Sequence, residues 1–131
     1  MTRLSRPLRG VRVLSLALNL PGPAALLRLQ AMGARCIKLE PPAGDPMRHY
    51  CPPAYAALHD GVRVLQADLK TEAGQRLLQR ELARSDVLLT SFRPSALARL
   101  GLGWSRLHRL YPALNLVRIV GAAGAPAEIP G

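Results

Sequence analysis

The sequence has little cysteine, and the spacing of its cysteines and histidines excludes two common kinds of site. Cys36 and Cys51 show no Cys-x-x-Cys spacing and no histidine cluster accompanies them, so neither a disulfide framework nor a zinc site is indicated. His49, His59 and His108 each stand alone, and we expect surface or packing roles for them. We predict no metal site, and the sparse cysteines fit a reducing, cytoplasmic setting.

Acidic residues and aromatic residues are also scarce. Eight Asp and Glu oppose eighteen Lys and Arg, of which sixteen are arginine, and the formal net charge is +10. Such a charge suits nucleic acid, anionic lipid or a phosphorylated cofactor. The arginines are spread along the whole chain and only five aromatic residues are available to stack on bases, so nucleic acid is the less favoured partner.

No apolar run is long enough to span a bilayer. The stretch that follows the first arginines is interrupted by Asn19, Pro21 and Pro23. We therefore expect neither a signal peptide nor a membrane helix.

What the sequence does contain is enough apolar material for one core: 49% of its 131 residues are hydrophobic, which favours a single domain over residues 1–131. Strands alternate with helices, a pattern that predicts an α/β fold with a parallel sheet flanked by helices. The predicted strands are 11–18, 35–41, 62–69, 86–92 and 114–122, and the predicted helices are 24–32, 70–85, 94–103 and 105–112. The segment 41–60 holds five prolines and is predicted to be a long loop.

Several residues at the predicted strand ends could meet a ligand. In "NLPGPAALL" a helix follows a strand directly and presents unpaired backbone N–H groups, although the Gly-x-Gly-x-x-Gly of dinucleotide sites is absent and an ordinary tight turn fits as well. Arg93 follows a strand, and its guanidinium could give a phosphate a bidentate contact. Arg99 could bind the same anion, although both could equally be surface arginines. Asp68 and Lys70 lie at another strand end, where an ordinary helix start is the alternative.

Five stretches, taken in their order along the chain, carry a specific resemblance. They are "GVRVL", "GPA", "GARCIKLEPPAGDPMR", "DLKTEAG" and "FRPSALARLGLG", and over nearly all of its length the chain resembles the N-terminal part of the family III CoA transferases. That group includes formyl-CoA and carnitine CoA-transferases and α-methylacyl-CoA racemase. The resemblance implies a Rossmann-like domain that holds coenzyme A, in a protein that moves CoA between carboxylic acids or inverts an α-carbon of an acyl-CoA. The alternative left open by the residues is a non-enzymatic basic module that binds nucleic acid or a protein.

The resemblance also implies which residues contact coenzyme A. The matching positions are Leu20, Pro21, Pro41, Ala67, Asp68, Leu69, Lys70, Ser91, Phe92, Arg93 and Arg99. Arg93 and Arg99 would hold a phosphate or the adenosine, Phe92 would flank the adenine, and the backbone near Leu69 would meet the polar edge of that base.

Four departures from the family pattern are visible. Ser15 stands where members usually carry aspartate, and "HDGVRV" stands where they read Asn-x-x-Lys-Arg-Ser. Leu20 and Pro41 replace a polar residue and an arginine that some members have. We therefore expect the contacts at Leu20 and Pro41 to be weakened.

The resemblance further implies that no catalytic residue lies in this chain. Family transferases use a nucleophilic aspartate, and the racemases a histidine and an aspartate, in a region downstream of residue 131. The four aspartates present do not match that position; they are Asp45, Asp60, Asp68 and Asp86. Since nucleophilic catalysis needs the carboxylate beside the thioester, we expect this chain to be an N-terminal fragment that is inactive alone. Members form interlocked dimers, so self-association or contact with a missing C-terminal part is expected.

Overall fold

The chain has an α/β fold built on one parallel five-stranded sheet. The structure is a computed structural model that describes residues 5–121. Its strands are β1 (Arg12–Ser15), β2 (Arg35–Glu40), β3 (Arg63–Gln66), β4 (Val87–Thr90) and β5 (Asn115–Arg118), and they are ordered β3-β2-β1-β4-β5. All four pairings between neighbours are parallel. The fold predicted from the alternation of strands and helices is confirmed.

The helices connect these strands. They are α1 (Pro21–Ala31), α2 (Met47–Tyr50), α3 (Pro52–Leu58), α4 (Glu72–Ala83), α5 (Pro94–Arg99) and α6 (Trp104–Leu110). Within residues 5–121, none of them has both the length and the apolar character that crossing a membrane requires.

The observed boundaries differ from the predicted ones at the start of α1, within segment 41–60 and at the ends of the strands. Helix α1 begins at Pro21, three residues before the predicted start, because proline is tolerated in the first turn, where its missing N–H would have no partner. Segment 41–60 is not one continuous loop, since it contains α2 and α3, and α3 also opens on two prolines. The strands are shorter than predicted at both ends, except at the start of β2. Ala122, the last residue predicted for the fifth strand, lies outside the described residues.

Leucine-rich helices cover both faces of the sheet. On one face Leu26 of α1 packs with Val13 and Leu89. On the other face lies a larger cluster, made by the residues Leu14, Leu16, Leu39, Leu78, Leu82, Leu88, Leu97, Leu102, Leu107 and Leu114.

Strands β2 and β3 lie on one side of β1, while β4 and β5 lie on the other. Successive strands are therefore added in opposite directions on the two sides of β1, which makes a topological switch point between β1 and β4. In open α/β sheets ligands bind at the carboxyl ends of the strands near such a point.

Two glycines of the quoted stretches are required by close packing. A Cβ on Gly74 would lie 1.8 Å from the carbonyl oxygen of Asp68, and one on Gly22 would lie 2.0 Å from Cβ of Ala17. The N–H of Gly74 also donates to Oγ1 of Thr71 at 3.1 Å, so Thr71 is the N-cap of α4. Gly22 and Gly74 thus let α1 and α4 begin close to the strand ends they follow.

Candidate functional site

The predicted coenzyme A contacts gather at the carboxyl edge of the sheet. Leu20 lies in the connection after β1 and Pro21 opens α1 directly after it, Pro41 follows β2, 67–70 follow β3, and 91–93 follow β4. These four strands are adjacent, and at about 4.8 Å between strands the connections span about 14 Å. Arg99 is the exception, because it lies at the far end of α5.

A small apolar pocket of about 160 Å³ lies at this edge. Six of the eleven predicted contact residues line it, namely Pro41, Ala67, Asp68, Leu69, Lys70 and Phe92. The other lining residues are Leu16, Leu39, Glu40, Pro42 and Leu100. Leu16 and Leu39 belong to the core, so the pocket opens directly onto the hydrophobic interior. Its walls suit a flat, largely apolar group.

The connection after β3 offers both a cation and a backbone donor. The carboxylate of Asp68 accepts from the N–H of Lys70 at 3.0 Å and so belongs to the turn itself. The ammonium group of Lys70 is exposed and makes no ion pair within residues 5–121. The carbonyl of Leu69 accepts from Gln75 Nε2 at 2.6 Å, whereas its N–H donates to no atom of the described chain. A ligand here would meet the Lys70 ammonium and the Leu69 N–H.

Arg93 and Arg99 occupy opposite ends of one short helix. Arg93 is the N-cap of α5 and Arg99 is its last residue. Six residues of helix separate their Cα atoms by about 9 Å along the axis. Both side chains are exposed, and neither forms an ion pair with any described residue. This spacing favours contacts to two groups of one extended ligand over a joint contact to a single phosphate.

Ser91 and Phe92 are held by the backbone around them. Ser91 Oγ accepts from the N–H of Leu18 at 3.4 Å and so links the connections after β4 and β1. The N–H of Phe92 donates to Oγ1 of Thr90 at 3.0 Å, and the ring of Phe92 packs on the core while lining the pocket. Phe92 therefore has the fixed position that a residue flanking a base requires.

Beneath these connections lies a buried polar cluster that the sequence reasoning missed. Lys38 on β2 is fully buried, and its Nζ lies 2.5 Å from Asp45 Oδ2, 3.2 Å from Glu40 Oε2 and 2.8 Å from His59 Nε2. The three acceptors match the three N–H groups of the ammonium. We call Lys38, Glu40, Asp45, Tyr55 and His59 the Lys38 network.

The remaining members of the network complete its hydrogen bonding. His59 Nδ1 donates to the carbonyl of Tyr55 at 2.7 Å, which leaves Nε2 as the acceptor for Lys38. Burial lowers the pKa of His59; the Tyr55 hydrogen bond opposes this, and the nearby Lys38 charge adds to the lowering. The Tyr55 hydroxyl donates to Glu40 Oε2 at 2.5 Å, and burial together with this bond raises the pKa of Tyr55 to about 12. His59 is thus a neutral acceptor within the core, a more specific role than the surface or packing role predicted.

Asp45 connects the network to the candidate site. Its carboxylate accepts from the N–H of Asn19 at 3.1 Å and from the N–H of Met47 at 3.0 Å. Asn19 has φ +67°, a left-handed conformation that asparagine tolerates better than most residues, and it directly precedes Leu20. Burial alone would raise the pKa of Asp45, but the bonds from Lys38, Met47 and Asn19 outweigh it and lower the pKa. Asp45 therefore fixes the backbone that presents Leu20 and Pro21.

Three members of the network have the spacing of a metal site. One potential ligand atom from each of Glu40, Asp45 and His59 lies within 4.8 Å of the other two. Lys38 Nζ is within hydrogen-bond distance of all three residues, so its ammonium group fills the position that a metal ion would take. The geometry favours a structural cation supplied by the chain itself.

Comparisons with known proteins agree with this architecture. Residues 8–131 match CoA-transferase family III. The succinyl-CoA–D-citramalate CoA-transferase of Chloroflexus aurantiacus is 40% identical over 127 residues, which cover 91% of this chain and 32% of that protein. The cinnamoyl-CoA:phenyllactate CoA-transferase of Clostridium sporogenes is 34% identical and covers 93% of this chain and 33% of that protein.

A solved structure shows the same fold. The crystal structure of a CAIB/BAIF family protein from Brucella suis superposes with a TM-score of 0.85 at 34% identity, and the match covers 97% of this chain and 37% of that one. The chain spans about a third of the length of the curated relatives it matches. The family match extends over almost the whole sequence, and on that ground the chain belongs to CoA-transferase family III.

Proposed function

We propose that this chain is the coenzyme A-binding part of a family III CoA-transferase, with CoA lying along the carboxyl edge of the sheet. The observation that carries the proposal is the pocket, because six of the residues that the family resemblance implies as CoA contacts converge on it. Two exposed cations, Lys70 and Arg93, accompany it at the same edge of the sheet, and Arg99 lies about 9 Å further along α5. An apolar pocket with nearby cations suits a nucleotide that carries phosphates.

The pocket is smaller than a complete cofactor site, so it can receive only one group of coenzyme A. Its volume of about 160 Å³ compares with roughly 300–1,000 Å³ for typical ligand sites. We assign the adenine to it, beside Phe92 and within reach of the Leu69 N–H. The phosphates then lie near Lys70 and the arginines of α5, and the pantetheine arm runs toward Leu20 and Pro21.

The proposed reaction is transfer of CoA between carboxylic acids, as the names of the related transferases indicate, with the catalytic carboxylate supplied from outside residues 5–121. The contacts of the aspartates support this second part. Asp45 is fully buried against Lys38, and Asp68 is bound within its own turn. Asp86 accepts from the N–H of Arg12 at 2.8 Å, at the opposite edge of the sheet. Asp45 and Asp86 are therefore not available as nucleophiles at the candidate site, and one oxygen of the Asp68 carboxylate is engaged within its own turn.

Self-association and a reducing, cytoplasmic setting also belong to the proposal. Trp104, Leu110 and Val117 on α6 and β5 are 49%, 50% and 47% exposed, which supports burial of this side against further protein. Cys36 and Cys51 are both free thiols, and burial raises the pKa of Cys36 to about 11. Sedimentation equilibrium tests the first point: a concentration-dependent mass is expected, and a sharp monomer would contradict self-association.

The test of the CoA site is calorimetric titration of the 131-residue chain with coenzyme A, with dephospho-CoA as the comparison. We expect saturable binding that weakens when the 3′-phosphate is removed. Arg93→Ala and Arg99→Ala should each weaken CoA binding by about tenfold or more, since a hydrogen bond to a charged group contributes about 1.5–3 kcal/mol.

Matched controls are Arg106→Ala and Arg109→Ala on α6, which remove the same charge from exposed positions outside the site. Their CoA affinity should stay close to that of the unsubstituted chain. Equal losses in all four variants would refute the site and favour the alternative of a general basic module, whose binding of a nucleic acid falls steeply with salt.

A further inference from the structure

A second, larger cavity lies at the amino-terminal edge of the sheet, opposite the proposed CoA site. Its volume is about 780 Å³, within the range of small-molecule sites. Five arginines line it. Arg12, Arg35 and Arg63 are the first residues of β1, β2 and β3, Arg84 is the C-cap of α4, and Arg6 precedes β1. None of the residues assigned to the CoA site lines this cavity.

Strand register places three of these arginines on one face of the sheet. Arg12 opens β1 and pairs in register with Arg35, which opens β2. Arg63 opens β3 and pairs with Ile37, two residues after Arg35 and therefore on the same face. Arg12 and Arg35 lie directly opposite each other on strands about 4.8 Å apart, and Arg63 lies diagonally from Arg35 at about 7–8 Å. A bound anion would reduce the repulsion among these like charges.

The described chain neutralises little of this charge. Arg12 pairs with Asp86, with Nε 3.5 Å from Oδ2. The other four arginines form no ion pair and no side-chain hydrogen bond with any residue in 5–121, and all four are exposed. One carboxylate, that of the buried Glu81 on α4, also lines the cavity without an ion pair to a described residue. The cavity thus keeps a strong positive excess.

One residue of the cavity lining, Gln30, has a buried side-chain oxygen without a hydrogen-bond donor among the described residues. Gln30 lines the cavity and donates through Nε2 to the carbonyl of Asp60 at 2.7 Å. Its Oε1 is the buried side-chain oxygen that has no hydrogen-bond partner among the described residues. Buried polar atoms are nearly always paired, so an N–H or O–H donor, from a water molecule or from a ligand, is expected at this oxygen.

We propose that this cavity binds a small polyanion that carries at least two phosphate or carboxylate groups, at a site separate from the CoA site. Guanidinium groups form bidentate contacts with both kinds of anion, and several of them around one concave space select a multiply charged ligand. A nucleic acid fits less well, because the lining contains no aromatic side chain on which a base could stack. The proposal does not depend on the CoA assignment.

The experiment is calorimetric titration of the 131-residue chain with inorganic tripolyphosphate and, separately, with citrate. The test variant is Arg35→Gln/Arg63→Gln, and the control is Arg106→Gln/Arg109→Gln, which removes the same charge from α6. We expect one ligand per chain, weakened roughly tenfold or more in the test variant and little changed in the control. Binding of tripolyphosphate alone would assign phosphate as the ligand chemistry, and binding of citrate alone would assign carboxylate.

Three results would overturn the proposal. The first is absence of saturable binding of either anion to the unsubstituted chain. The second is an equal loss in both double variants, which would show a general charge effect. The third is tripolyphosphate binding that follows Arg93→Ala instead of the Arg35/Arg63 pair, which would place the anion at the other edge. Coenzyme A affinity should be unchanged in Arg35→Gln/Arg63→Gln, so the two sites can fail independently.

Discussion

Replacing Lys38 by methionine tests whether the buried network holds the fold together. The substitution keeps the length and much of the volume of the side chain but removes the ammonium group. Asp45 and Glu40 are then left buried, and Asp45 loses its only partner of opposite charge within residues 5–121. The network would keep its shape while losing the charge that balances it.

The size of the effect follows from the burial. Breaking a buried ion pair by removing one partner costs about 3–5 kcal/mol, because the remaining charge is left desolvated. Lys38 contacts two carboxylates and both are fully buried, so we expect a loss in the free energy of unfolding at the upper part of this range. At roughly 4 °C per kcal/mol for a domain of this size, the melting temperature should fall by about 16–20 °C.

The chain supplies its own control in Lys70, the other of its two lysines. Lys70 is exposed and unpaired in the described structure, and Lys70→Met should change stability by less than about 0.5 kcal/mol. Urea unfolding followed by circular dichroism at neutral pH gives both values. Equal midpoints for Lys38→Met and Lys70→Met would show that the network contributes no net stability and would refute the reasoning.

The pKa of His59 is lower in the folded chain than in the unfolded chain, so below about pH 6.5 the unfolded chain binds a proton that the folded chain does not. The free energy of unfolding should therefore fall by up to about 1.4 kcal/mol for each pH unit below about 6.5. Urea midpoints measured against pH should show a shallower slope for His59→Gln than for the unsubstituted chain. Gly74→Ala should cost about 3 kcal/mol, since its Cβ would meet a backbone oxygen, whereas Gly103→Ala, with nothing within 4 Å, should change the unfolding free energy by less than about 1 kcal/mol. Thr71→Ala should cost about 1 kcal/mol in the same assay, and no loss would contradict the capping role.

The sheet and its order of elements could be predicted because strands covered on both faces carry a strong local signal. Runs such as "RVLSLAL" and "DVLLTSF" are apolar without alternation, and a proline follows each run within three residues. The limits of the elements could not be predicted as well. The prolines of 41–60 indicated a loop, yet Pro52 and Pro53 occupy the first turn of α3, where proline is compatible with a helix.

The Lys38 network could not be predicted from spacing, since its members are brought together only by the fold. Lys38 and Glu40 lie on β2, Asp45 follows it, and His59 comes from the end of α3. One signal was present in the sequence: "CIKLE" places a lysine and a glutamate inside an otherwise apolar strand, and a buried charge requires a partner. That signal indicates that partners exist but does not identify them.

The structure indicates that the buried charged residues of the stretch "IKLEPPAGDPMR" support the fold, and of these only Glu40 lines the pocket. Lys38, Glu40 and Asp45 are all buried and contact one another, and Asp45 holds the backbone of Asn19. Much of this stretch therefore specifies the shape of two connections, and only Leu39, Glu40, Pro41 and Pro42 of it also line the pocket. Resemblance to the family in this stretch is evidence for fold and for loop geometry. Evidence for CoA binding must come from Lys70, Arg93 and Arg99, whose side chains are exposed and whose replacement leaves the Lys38 network intact.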